Sequence, residues 1–179
     1  MISHRRSIAM RDYVIVSDAT LDLPMDVINR YGIRVIPMGL DIDGVPFTHY
    51  PDERELTIEN FYTELKKGSI SHTTQITPAV FTDYFVRLIR DGFDILYIAF
   101  SSGLSGTYNT ARLVIDELSD EYRDSKIIGI DSLCASIGEG LLVMNAAIQK
   151  QNGMNIDEPP LVYGEGFILL KARRQDFLH

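Results

Sequence analysis

Seven consecutive residues, Ser101-Ser102-Gly103-Leu104-Ser105-Gly106-Thr107, place four hydroxyls and two glycines in one short stretch. An apolar run, Asp94 to Phe100, precedes them, and Ala111, Val114, Ile115 and Leu118 recur at helical spacing after them. The pattern predicts a strand, a turn and a helix. A turn of this kind can leave backbone N–H groups unpaired at a helix N-terminus, where the helix dipole and the hydroxyls together favour an anion. The plainer reading is a helix cap, with Ser105 as N-cap and the glycines making the turn.

A second polar stretch, Ser69 to Thr77, holds three threonines, two serines, His72 and Gln75 without helical or strand periodicity. It reads as a loop between two packed helices. Hydroxyl-rich loops are commonly surface linkers. Small neutral donors are also what a carboxylate head group needs in a site kept partly dry.

The elements that must position these stretches follow from the patterning. Tyr13 to Ser17 reads as a strand ending in the turn-rich Asp18 to Pro24, with a helix through Tyr31 closed by Gly32. Ile33 to Ile42 reads as one strand interrupted by Pro37, with Asp43-Gly44 as a hairpin turn into Val45 to Thr48. His49 to Glu55 reads as an exposed loop. Ile58, Phe61, Tyr62 and Leu65 mark a helix between Thr57 and Gly68, and Phe81, Phe85, Leu88 and Ile89 mark another opened by Thr77-Pro78. Lys126 to Ile130 is a further strand, followed by a helix with Ile137, Leu141, Met144 and Ile148 as its stripe and Gly153 as its end. Strands that alternate with helices predict an α/β fold, a mainly parallel sheet with helices on both faces and binding sites at the carboxyl ends of its strands. Thr20, the Thr73 loop and the Ser105 turn would all fall at that edge.

Composition narrows the function. The chain has 179 residues and a formal net charge of -8, which leaves no basic face for nucleic acid. No apolar run approaches the ~20 residues of a membrane span. The single Cys134 fits a reducing, cytoplasmic setting and reads as a small buried apolar residue. Residues 1–11 read as a disordered leader, with Met10 an alternative start.

Taken together, Val16-Ser17-Asp18-Ala19-Thr20, Thr73-Thr74-Gln75, Ser101 through Asn109, and Asp131-Ser132 resemble the DegV family in order and spacing. The resemblance implies a fatty-acid-binding protein with two α/β domains, the acyl chain held between them and no catalytic chemistry or cofactor of its own. It further implies service as the acyl-presenting subunit of a fatty acid kinase, whose ATP-binding subunit is a separate protein. On this resemblance Thr73 and Thr74 match the family's carboxylate-binding loop, and Ser105 matches its Ser-Gly turn, with Ser102 and Gly106 as neighbours. Residues 12–154 would form the first α/β domain. From Pro159 the sequence no longer resembles the family, so 155–179 reads as a divergent tail in place of the second domain, with weakened lipid binding expected.

Other chemistries fit less well. Gly103-Leu104-Ser105-Gly106-Thr107 comes within one residue of the G-x-S-x-G nucleophile elbow, so a serine hydrolase using Ser105 is the alternative, with His72 as the one histidine expected at the same edge. No phosphate-binding G-x-x-x-x-G-K-[ST] is present, and acidic pairs such as Asp41 with Asp43 and Asp116 with Glu117 read as solvated surface, not metal ligands.

Overall fold

Tyr13–Asp18 (β1) and Asp94–Ala99 (β6) are buried at every residue. Strands covered on both faces lose the apolar-polar alternation and read as continuous runs. The computed structural model describes residues 11–157 and places these two strands at the centre of a parallel sheet. Arg34–Ile36 (β2) pairs with β1 and Ile127–Asp131 (β7) with β6, which gives the order β2-β1-β6-β7.

Successive side chains of a strand point to opposite faces. Val14, Val16, Ile95 and Tyr97 therefore meet Phe81 and Phe85 of α3 (Pro78–Arg90) and Ala111, Val114 and Ile115 of α4 (Thr107–Glu121). On the other face Tyr13, Ile15, Leu96 and Ile98 meet Ile28 of α1 (Met25–Tyr31) and Val143, Ala146 and Ala147 of α5 (Ile137–Gln151). This is the two-faced α/β layer arrangement the alternation predicts. Thr77 caps α3 by accepting the Val80 N–H, and Phe81, Phe85, Leu88 and Ile89 are all buried as expected.

Several expectations change. The run Ile33 to Ile42 is not one interrupted strand. It is two strands in two sheets, because Pro37 has no N–H to continue the ladder and the chain turns away there. Met38–Ile42 (β3) enters a second, antiparallel sheet between Val45–His49 (β4) and Ser71–Thr73 (β5). The predicted hairpin turn is present, with φ of 51° at Asp43 and 84° at Gly44. Asp41 accepts the Gly44 N–H and Asp43 the Ile70 N–H, so this acidic pair serves the turn and the neighbouring segment.

The stretch Ser69 to Thr77 is not loop throughout, since β5 lies within it and pairs Thr73 with Leu40. The helix α2 (Ile58–Lys66) forms with Thr57 as its cap, yet buries no residue, and Ile58 and Tyr62 are 53% and 55% exposed. The polar stretch therefore lies between one packed helix and one unpacked helix. In α5 the stripe is also displaced. Ile137 and Leu141 face solvent, while Leu142, Val143, Ala146 and Ala147 are buried. Small residues let this helix approach closely: a Cβ on Gly140 would stand 2.3 Å from the Leu21 carbonyl oxygen. Cys134 is free and half-buried in the connection before α5, not a core residue. Residues 1–10 of the leader and 158–179 of the tail lie outside the described residues.

Candidate ligand site at the carboxyl edge of the sheet

From β1 the chain moves outward to β2, and from β6 it moves outward to β7 on the opposite side. The crevice between the carboxyl ends of β1 and β6 is therefore a topological switch point, where open α/β sheets take their ligands. The Ser101–Thr107 turn leaves β6 directly at this crevice.

Most of its N–H groups are not free. Ser101 donates to the Cys134 carbonyl, Leu104 and Ser105 donate to the Ser101 carbonyl, and Ser102 donates to Asp131 Oδ1 at 3.0 Å. Gly103 donates to Ser101 Oγ and Thr107 to Ser105 Oγ, each at 3.2 Å. Among the described residues, Gly106 keeps the one N–H of the turn without a protein acceptor. The expected row of open donors thus contracts to one backbone group beside one hydroxyl. Gly106 occupies the cap position of α4, and Ser105 supplies the side-chain bond that the expected N-cap would have made. Ser105 Oγ also lies 2.9 Å from Thr107 Oγ1. When Thr107 donates in that pair, the Ser105 proton is left for a ligand.

The Thr73 loop reaches the same place from the other sheet. Thr73 is exposed at the end of β5 in the antiparallel sheet, not at the expected carboxyl edge of the parallel sheet. Thr74 donates its N–H to the Gly39 carbonyl at 2.9 Å. Gln75 Nε2 donates to Thr110 Oγ1 at 2.6 Å, which ties this loop to the first turn of α4. The structure therefore brings the loop to Gly106 through Gln75. Ser102 is held to Asp131 instead.

Sequence reasoning missed Glu139, which lies beneath this edge with Ser17, Asp18 and Thr20. Glu139 and Asp18 are 0% and 1% exposed. Ser17 Oγ lies 2.8 Å from both the Ile98 carbonyl and Glu139 Oε1, and Thr20 Oγ1 contacts both Asp18 and Glu139 Oε2. Each hydroxyl has one proton for two acceptors. A proton on Glu139 resolves the first conflict, since its O–H can donate to Ser17 while Ser17 donates to Ile98. Burial, with the Asp18 charge adding to it, raises the Glu139 carboxyl to about 8, in line with that assignment. Asp18 accepts from the Tyr97 hydroxyl and from the N–H groups of Phe100 and Thr20. Thr20 thus serves this buried network. Glu139 is aligned with Val143, Ala146 and Ala147 on the small-residue face of α5, which is the signal that could have revealed it.

The hydrolase alternative finds little here. The partners of Ser105 Oγ are Thr107 Oγ1 and the Thr107 N–H, with no histidine among them, and His72 lies exposed in β5. Burial, followed by the charges of Glu139 and Asp131, pushes the Cys134 thiol up and away from thiolate chemistry. Among the described residues no cluster of three or more His, Cys, Asp or Glu could hold a metal, and no helix is long and apolar enough to cross a membrane.

Comparison with known proteins places this architecture. The profile of a family described as "Uncharacterised protein, DegV family" matches residues 12–159. The chain belongs to the DegV family. It is 37% identical over 149 residues to a DegV domain-containing protein of Clostridium perfringens, an alignment that covers 83% of this chain and 51% of the relative. Among solved structures it resembles a DegV family protein from Thermus thermophilus described by its fatty acid binding, at 26% identity and a TM-score of 0.71, covering 83% of this chain and 50% of that one. A Thermotoga maritima protein whose structure is described as revealing a fatty acid binding function is 30% identical with a TM-score of 0.70, covering 83% of this chain and 52% of that one. The chain thus spans about half the length of the DegV relatives it matches.

Proposed function

We propose that this DegV chain binds a long-chain fatty acid by its carboxylate, at the Ser101–Thr107 turn and the Thr73-Thr74 loop. The observation that carries the reading is the Gly106 N–H, without a protein acceptor at the start of α4 and next to the Ser105 hydroxyl. A carboxylate oxygen placed there accepts from Gly106 and Ser105, and in this reading the hydroxyls of the Thr73-Thr74 loop, which Gln75 brings to Gly106, complete the site. Charge-assisted bonds of this kind hold an anion without a countercharge. Its relatives from Thermus thermophilus and Thermotoga maritima, described as fatty-acid-binding proteins, support the choice of ligand.

The acyl chain supplies the bulk of the affinity, at roughly 0.8 kcal/mol per buried CH₂. Leu104, Leu133 and Ile137, exposed by 70%, 56% and 52%, follow the carboxyl ends of β6 and β7 and offer apolar surface for it. In the same reading the protein acts without catalytic chemistry of its own, in the cytoplasm, and presents the carboxylate to an ATP-binding fatty acid kinase subunit. The partly buried, free Cys134 is compatible with a reducing compartment.

The test is native mass spectrometry of the purified chain mixed with palmitate, beside the Ser105→Ala, Thr73→Ala double variant. Each bond to a charged group is worth about 1.5–3 kcal/mol, so the double variant should lose at least about tenfold in affinity. Equal binding by both proteins would overturn the site assignment. No binding by the unaltered chain would overturn fatty acid binding by this chain.

A further inference from the structure

The two halves of the proposed head-group site belong to different sheets, and the Gln75 side chain reaches from one to the other. Gln75 Nε2 donates to Thr110 Oγ1 at 2.6 Å, a hydrogen bond from the loop after β5 to the first turn of α4. The same carboxamide lies flat on Gly106. A Cβ built on Gly106 would stand 2.9 Å from Gln75 Oε1, 3.0 Å from Nε2 and 3.2 Å from Cδ. Gln75 thus occupies the space that any larger residue at 106 would need.

The residues on either side of Gln75 are anchored elsewhere. Thr74 donates its N–H to the Gly39 carbonyl, and its hydroxyl fills the space over Gly39, where a Cβ would come within 2.2 Å of Oγ1. Ile76 is 4% exposed and belongs to the core cluster beneath α3 and α4. One anchor holds the loop to the small sheet and the other to the core. Gln75, between them, makes the contact with Gly106 and Thr110 and so spans the separation between the threonine hydroxyls and the start of α4.

We propose that Gln75 is the positioning residue that sets this separation, a latch from the Thr73-Thr74 loop onto Gly106 and Thr110. The inference rests on the reading of the site as a carboxylate site and deepens it by naming what holds its two halves in register. Head-group recognition then depends on Gln75 through the gap it sets, and recognition of the acyl chain does not. Gly106 is required as glycine for the same reason, because a methyl group there would push the carboxamide off.

Thr110→Val keeps the shape of residue 110 and removes the acceptor. Hydrogen exchange on the unliganded chain is the first measurement. The Thr74 amide, bonded to the Gly39 carbonyl, should exchange about tenfold faster in Thr110→Val and in Gly106→Ala, while β1 and β6 keep the rates of the unaltered protein. Unchanged exchange at the Thr74 amide in both variants would overturn the latch, whatever the ligand. Binding is the second measurement, with palmitate compared against 1-hexadecanol, which has the same chain and no carboxylate. Thr110→Val should weaken palmitate about tenfold and leave the alcohol within twofold. An equal loss for both would reduce Gln75 to a general structural role and overturn the proposal. If the unaltered chain binds neither compound, the fatty acid reading fails and the exchange measurement alone decides the latch.

Discussion

Every residue of β1 and β6 is buried, whereas β4, β5 and α2 bury none of theirs. The parallel sheet has helices over both faces and a core containing Phe81, Phe85 and Tyr97, with ring centroids 5.4 to 5.7 Å apart. The antiparallel sheet contributes Leu40 and Ile42 to the buried set, both from its central strand. Local opening costs little where few apolar groups leave water, and segments that accommodate ligands are drawn from such regions. The comparison assigns stability to one sheet and adaptability to the other. The candidate site lies where the two meet, with Ser105 and Gly106 on the rigid side and Thr73 and Thr74 on the yielding side.

Emptying the core of the parallel sheet is expected to cost the most stability. Phe81 is 0% exposed and packs on both Phe85 and Tyr97. Phe81→Ala should cost about 3–5 kcal/mol, through lost burial and the cavity left behind. Urea denaturation followed by circular dichroism measures the loss. The second arm is Phe47→Ala in β4, where the side chain is only half-buried and the loss should be below half as large. Equal losses at the two positions would mean that the antiparallel sheet is as well supported as the parallel one.

The same contrast explains what could be read from the residues alone. β1, β6, α3 and α4 announce themselves because deep burial leaves a continuous apolar run or a stripe. The sequence Ser71-His72-Thr73 has no such mark, and its strand character comes from pairing with β3. The inward face of α5 departs from the spaced stripe of Ile137, Leu141, Met144 and Ile148, because close approach selects Gly140, Ala146 and Ala147 and turns Ile137 and Leu141 outward. Glu139 was hidden because an acid in the first turn of a helix ordinarily reads as a partner for the dipole. At the site, the Ser101–Thr107 turn was legible as a turn with hydroxyls. That most of its donors are already used was not, since Asp131 and Cys134, which accept from Ser102 and Ser101, come from the end of β7 and the connection after it.

A smaller effect is expected at the buried carboxyl group of the rigid side. Glu139 holds the start of α5 to Ser17 in β1 and to Thr20 after it, and its carboxyl is raised from an ordinary 4.5 to about 8. The native state therefore holds a proton that the unfolded chain gives up. Stability from this group is fully present below about 4.5, falls as pH rises, and is lost by about 8. Glu139→Gln can donate to Ser17 and accept from Thr20 without titrating. Its unfolding free energy, measured by urea titration from pH 5 to pH 8.5, should decline less steeply than that of the unaltered protein. Parallel slopes for the two proteins would show that Glu139 does not carry the extra proton.

The smallest expected effect tests the yielding side directly. Ile58 opens α2, is 53% exposed, and has its N–H capped by Glu53 Oε2 at 3.0 Å. Ile58→Ser keeps that backbone bond and places a residue of similar helix propensity at the position. With so little apolar area removed from water, the change in stability should stay within about 0.5 kcal/mol. Denaturation midpoints of the two proteins measure it. A loss above about 1.5 kcal/mol would require burying most of an isoleucine, on the scale of a full side-chain transfer. That result would put the face of α2 against another surface in solution, and the division between a supported sheet and an unsupported one would no longer hold.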